Sequence, residues 1–258
     1  MDESVLFEVN EGIGTIRLNR PNALNALNLE MRERLEDILR EVDEGDEVRV
    51  LVILGNGTSF CAGQDLKETS GSRSAVHHLT SKWKGDFQTR LDGLNIPVIV
   101  GLQGHVIGRG LEVALTCDIR IGAEDTKFSL PEVKIGMLPS SGGTQRLTRL
   151  VGESRALHMI LTGERLDATV ALEWGIITHL VPNERLEATV MGMARAMADS
   201  APLALAYAKR MIRQCQDVPL SEGLRNEAVF SALLLTTEDR QEGINAFREK
   251  RKARFMGK

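Results

Sequence analysis

Residues 97–118 read Pro-Val-Ile-Val-Gly-Leu-Gln-Gly-His-Val-Ile-Gly-Arg-Gly-Leu-Glu-Val-Ala-Leu-Thr-Cys-Asp, and the order of features along them decides the fold class. Pro97–Leu102 is a short apolar run, the pattern of a strand covered on both faces. Glycines then open a segment of helical length, Gly108–Cys117, and Asp118–Gly122 begins another strand. Strand, glycine turn, helix and strand in that order predict a layered α/β core. Working outward, the order recurs. Val48–Leu54 is a second nearly unbroken apolar run. Before it, Val5, Phe7 and Val9, then Ile13 and Thr15–Leu18, flank a turn at Asn10-Glu11-Gly12 and predict a hairpin. Leu27, Met31, Leu35, Ile38, Leu39 and Val42 follow helical spacing, with Asn28 as N-cap and Gly45 as the stop. Residues 76–94 carry the same spacing through Val76, Leu79, Trp83, Phe87, Leu91 and Leu94.

After Ile176–Val181 the pattern becomes helical over 184–199, 203–216, 222–236 and 239–255, punctuated by Pro182, Pro202, Pro219 and the 236–238 cap region. Two parts are therefore expected, an α/β core over 1–195 and a helical region over 196–258. Leu233, Leu234 and Leu235 in a row beside Phe230 are more than one narrow core face accepts. They mark either a subunit interface or a wide internal face.

The 258 residues carry 32 Lys and Arg against 36 Asp and Glu, and this net charge of −4 lacks the footprint of a nucleic-acid binder. Residues 30–43 mix Glu30, Glu33, Glu36, Asp37, Glu41 and Asp43 with Arg32, Arg34 and Arg40, a solvated face rather than a phosphate stripe. Cys61, Cys117 and Cys215 have no metal-ligand spacing and read as reduced thiols. No apolar run of eighteen residues exists, and the first twenty residues carry no signal-type block. A cytoplasmic protein without metal or membrane anchor is expected.

Three stretches place glycine and carboxylate where a backbone must approach a ligand. Phe60-Cys61-Ala62-Gly63-Gln64-Asp65-Leu66 follows the Val48–Leu54 strand, and Gly63 permits a turn that aims successive N–H groups outward. Gly104–Glu112 opens a helix whose first amides have no intrahelical partner and suit an oxyanion. Its glycine spacing matches neither the dinucleotide fingerprint nor a phosphate-binding Gly-Lys-Ser/Thr loop. Glu112 lies in the apolar stretch Leu111–Leu115, where a carboxylate must be paired or functional. Pro131-Glu132 precedes Gly136-Met137-Leu138-Pro139-Ser140-Ser141-Gly142-Gly143-Thr144; by composition alone Glu132 reads as an exposed loop acid sooner than as a functional group. His77-His78 has no third ligand nearby, and no serine sits in a nucleophile elbow. The basic residues Lys250, Arg251, Lys252, Arg254 and Lys258 read as a solvated helix face or a phosphate contact.

Together with 19–27 (Asn-Arg-Pro-Asn-Ala-Leu-Asn-Ala-Leu), 142–147 (Gly-Gly-Thr-Gln-Arg-Leu) and 239–252, these stretches resemble the crotonase (enoyl-CoA hydratase/isomerase) family from about residue 5 to the C-terminus. The resemblance implies a spiral of ββα units, and a C-terminal helical region that assembles a homotrimer or a hexamer of paired trimers. It implies an acyl-CoA substrate, with coenzyme A part of the substrate and no separate cofactor. The thioester oxygen is then held by the backbone N–H groups of Gln64 and Arg109. Glu112 acts as base on water, Glu132 as acid toward C2, and the Ser140 position places the water. Coenzyme A lies along Asn22, Ala23, Leu24, Ala62, Gly63, Asp65, Leu66 and Lys67, reached by Phe247 and Lys250 of a neighbouring subunit. The function implied is hydration of a 2-enoyl-CoA. The alternatives are double-bond isomerisation between C3 and C2, another acyl-CoA lyase reaction, RNA binding and a non-catalytic subunit. Two residues depart from the family pattern, because Arg109 and Ser140 stand where glycine is usual. A positive φ at 109 would distort the oxyanion site, whereas a right-handed helical one would not.

Overall fold

The computed structural model describes residues 3–68, 74 and 86–258, so the expected helix over 76–94 is described only in its second half and His77-His78 lie outside it. The hairpin forms as expected. β1 (Val5–Asn10) and β2 (Ile13–Leu18) pair antiparallel through a turn with Glu11 and Gly12 at φ 51° and 77°, whose twist matches the strands. In α1 (Leu29–Glu44) the Asn28 side chain accepts the Met31 amide at 3.0 Å, and Met31, Leu35, Ile38, Leu39 and Val42 face inward. Leu27 is buried but precedes the helix, in a one-residue bridge to Gln64.

The chain continues through β3 (Val50–Gly55), α2 (Phe87–Gly93), β4 (Val98–Leu102), β5 (His105–Ile107), α3 (Arg109–Thr116), β6 (Ile119–Ala123) and β7 (Lys127–Ser129). Then come α4 (Gly143–Val151), α5 (Glu153–Thr162), β8 (Leu166–Asp167), α6 (Ala168–Glu173) and β9 (His179–Val181). The strands form two sheets. One runs β1-β2-β3-β4-β6-β9, parallel except for the hairpin, and the other runs β5-β7-β8. In the unit led by β3 the second strand shrinks to bridges at Cys61, against Val106, and at Gln64, against Leu27. The expected ββα repeat is thus present, and the loops after the first strands line up along one ladder.

The large sheet is covered on both sides because its central strands are unbroken apolar runs whose successive residues point to opposite faces. Val50, Val52 and Leu54 of β3 pack with Leu186, Val190 and Ala194 of α7 (Leu186–Ala198), while Leu51 and Ile53 join the other core with α1 and α2. The helical region continues as α8 (Pro202–Gln214), α9 (Leu220–Leu234) and α10 (Glu238–Glu249). Arg213 and Lys209 tie α8 to the core through Asp118, at 2.7 and 2.8 Å. Neither α8 nor α9 buries a residue, and Ile212, Leu220, Leu224 and Val229 stand exposed.

The sequence pattern extended the last helix to 255, but it ends at Glu249, with Lys250 left-handed at φ 54°. Residues 251–258 turn back. The buried Asp239 carboxylate accepts the amides of Met256 and Gly257 at 2.6 and 2.8 Å, and Arg49 donates to the Phe255 carbonyl at 2.9 Å. The basic cluster therefore lies on a folded-back tail, where Glu242 holds Arg251. Among the described residues no helix is long and apolar enough to cross a membrane.

Asn25 locks the loop between β2 and α1. Fully buried at φ 55°, it accepts the Arg20 amide at 2.8 Å and donates to the carbonyls of Asn56 and Ser59 at 2.9 and 2.8 Å. Asn25→Ala strands these buried backbone groups and suits the left-handed backbone less well. Urea unfolding is expected to show a loss of about 2–4 kcal/mol; a loss below about 1 kcal/mol contradicts the assigned role.

Candidate active site

Residues 61–65 are zipped in on both edges by backbone hydrogen bonds. On one edge the Cys61 amide donates to His105 and the Ile107 amide to Cys61, each at 3.0 Å. On the other, Ala62 donates to Leu24, Leu27 to Gly63 and Asp65 to Leu27, at 2.9, 2.7 and 3.0 Å. The Gln64 amide donates to no described acceptor, and neither does that of Arg109, the first residue of α3, as a helix start requires. The two segments touch through backbone. Gly63 has φ 104°, and a β-carbon there would lie 3.0 Å from the Ile107 carbonyl and 3.6 Å from the Arg109 nitrogen. One on Gly110 would lie 2.4 Å from the Cys61 carbonyl. Two unspent N–H groups thus sit on adjacent backbone.

Arg109 is right-handed helical, so the distortion tied to a positive φ does not arise. Its side chain is anchored. The guanidinium donates to Gln64 Oε1 at 3.1 Å and Gln88 Oε1 at 3.2 Å, pairs with the Asp86 carboxylate, and lies over the Phe87 ring at 5.2 Å. The side chains of the two residues carrying the unspent amides therefore hydrogen-bond each other.

One turn along α3, Glu112 is 2% exposed. Its Oε1 accepts the Ser141 and Gly143 amides at 2.7 and 2.9 Å, and a β-carbon at 143 would sit 2.9 Å from that oxygen. Glu132 opens a short 3-10 turn (Glu132–Ile135), and its Oε1 lies 2.9 Å from where a Gly108 β-carbon would be. Gly108, at φ 53°, is the N-cap of α3, so Glu132 reaches over the start of the helix that carries Glu112. Glu132 Oε2 is buried without a described partner. Burial, with the Glu112 charge adding to it, pushes the Glu132 carboxyl up to about 7. The loop-acid alternative for Glu132 is excluded. Ser140 is exposed, adjoining the 141–143 backbone that grips Glu112.

The other sequence-derived residues divide into two groups. Asn22 and Ala23 lie in a 3-10 turn (Pro21–Ala23), and Leu24 (φ 49°) is stitched to Ala62. Arg20 clasps Asp65 at 3.1 Å. Leu66 and Lys67 are exposed in the turn Leu66–Glu68, so these residues share one neighbourhood with Ala62 and Gly63. Phe247 and Lys250 are not brought to it within the chain; Phe247 stands 86% exposed on α10 and Lys250 caps that helix. Sequence reading missed Asp86, Gln88, Gly108 and the amides of Ser141 and Gly143. Gln88 carried no local signal, since a polar residue beside Phe87 is ordinary in an amphipathic helix.

The family model described as enoyl-CoA hydratase/isomerase matches residues 8–258. The 2,3-dehydroadipyl-CoA hydratase of Escherichia coli is 39% identical, with 94% of each chain covered. A putative enoyl-CoA hydratase/isomerase of Bacillus subtilis is 38% identical, with 100% of each chain covered. Among solved structures, the enoyl-CoA hydratase of Bacillus anthracis superposes with a TM-score of 0.93 at 36% identity, covering 99% of this chain and 100% of that one. The fold is the crotonase fold. This chain belongs to the enoyl-CoA hydratase/isomerase family.

Replacing Glu112 by Gln removes a negative charge beside Glu132, so the Glu132 carboxyl should titrate below its value of about 7. Because burial is the larger cause, it should remain well above 4.5. Infrared titration of the buried carboxylate checks this, and an unmoved or upward midpoint contradicts the coupling.

Proposed function

We propose that the protein is an enoyl-CoA hydratase, adding water across the 2,3 double bond of a 2-enoyl-CoA to give the 3-hydroxyacyl-CoA. The observation that carries this reading is the pair of unlike carboxyl groups at one helix start. Glu132 is held toward its protonated form, and Glu112 is gripped at one oxygen by two backbone amides.

Glu112 takes a proton from water as the water oxygen bonds to C3. Glu132 delivers its proton to C2, and the alkene electron pair passes through an enolate on the thioester oxygen. The amides of Gln64 and Arg109 donate to that oxygen, each worth about 3 kcal/mol by analogy with acyl-transfer sites. Exchange with solvent then resets both carboxyls. Oxidation state does not change overall, so no redox cofactor is called for. Isomerisation needs a single acid–base group and leaves the grip on Glu112 without a purpose. The relatives named as hydratases support the hydratase reading.

Coenzyme A is assigned to Asn22, Ala23, Leu24 and the 62–67 loop, with Ser140 beside the water. The unburied α8 and α9, with Ile212, Leu220, Leu224 and Val229 exposed on them, support a homotrimer or a hexamer. In that assembly Phe247 and Lys250 are free to meet the coenzyme A bound by a neighbour.

Loss of the enoyl-thioester absorbance with 2-enoyl-CoAs of increasing length tests the reading, with a 3-enoyl-CoA as the isomerisation control. Glu112→Gln should cut hydration on the order of a thousandfold while coenzyme A binding persists; unchanged turnover refutes the assignment. Glu132 must hold its proton to act as acid, so kcat/KM should fall as pH rises through about 7. A rate that climbs through that range reverses the roles.

A further inference from the structure

We infer that Gln88 is a positioning residue for water addition, which joins the Arg109 side chain to the loop that grips Glu112. This inference rests on the hydratase reading above. Gln88 is a buried polar side chain on α2. Its Oε1 accepts from Arg109 Nε at 3.2 Å, and its Nε2 donates to the Ser141 carbonyl at 3.2 Å and to Thr116 Oγ1 at 3.5 Å. The amide orientation is dictated by these neighbours, since a guanidinium can only donate and a carbonyl can only accept.

Each partner leads to the site. The Arg109 backbone carries one unspent amide, and its guanidinium holds Gln64, which carries the other. Ser141 donates its N–H to Glu112 Oε1 while its carbonyl receives Gln88, so the peptide units on both sides of its α-carbon are pinned. Thr116 donates to the Glu112 carbonyl at 2.9 Å. One buried amide therefore spans the helix that carries Glu112 and the loop that aims its carboxylate. Glu132 makes no described contact with Gln88, and its Oε1 lies over Gly108 at the helix start. The consequence is selective. Loss of Gln88 loosens the base that activates water, whereas the Arg109 amide stays fixed by the backbone of α3 and its guanidinium keeps Asp86 and Gln64, so the backbone donors and the acid at C2 stay in place.

The test separates the two half-reactions in the full-length protein. Hydration of crotonyl-CoA reads Glu112, whereas exchange of the C2 hydrogens of butyryl-CoA with deuterated water reads Glu132 and the backbone amides. Gln88→Leu removes all three hydrogen bonds. Gln88→Glu keeps an acceptor for Arg109 but sets oxygen against the Ser141 carbonyl. Both variants are expected to lose hydration kcat on the order of tenfold to a hundredfold, with KM and the rate of C2 exchange within about threefold of the parent. Parallel loss of hydration and exchange, or a large rise in KM, reduces Gln88 to a structural residue and overturns the proposal. So does unchanged hydration in Gln88→Glu. A parent protein that exchanges C2 hydrogens but hydrates no enoyl-CoA overturns the hydratase reading itself, and this inference with it.

Discussion

The close approach of the first turn of α3 to the 61–65 loop is the constraint on which the site depends. A methyl group at position 110 would drive into the Cys61 carbonyl, so the helix and the loop meet main chain to main chain. That contact sets the Gln64 and Arg109 amides side by side, and it places Glu112 one turn further along the same helix. The rest of the fold serves this approach. Parallel strands deliver the loop and the helix to the same end of the sheet, and the Cys61–Val106 and Leu27–Gln64 bridges fix their register.

Electrostatic order within the site follows from who supplies the partners. Glu112 is satisfied by amides of a loop thirty residues downstream. Glu132 finds no described partner for its buried oxygen and is raised by desolvation. Arg109 adds a full positive charge at this spot without upsetting the balance, because Asp86 pairs with it and two glutamine oxygens accept from it. A cation that looks intrusive in one dimension is absorbed by neighbours that are distant in sequence.

Sequence periodicity disclosed much of the architecture. β3 and β4 read as unbroken apolar runs because both of their faces are covered, and α1 announces itself by its stripe and its asparagine cap. Glu112 stood out as a charge among apolar residues. Glu132 did not, because its burial arises from Gly108 and the start of α3, which no local pattern reveals. The course of the Arg109 side chain depended on residues 86–88, whose proximity is purely tertiary. The last helix was overextended because its basic residues continue in helix-compatible order. Folding back requires only a left-handed Lys250 and the buried carboxylate of Asp239.

The N–H left without a described acceptor at position 109 belongs to the peptide unit and not to a side chain. Every amino acid except proline supplies it, since proline alone lacks the N–H. The side chain at position 109 is thereby released from the donor that the backbone supplies. It can diversify to brace surrounding segments, as arginine does here, while positions 63 and 110 stay bound to glycine. A backbone donor of this kind escapes detection by alanine scanning and sits beneath a residue that looks dispensable.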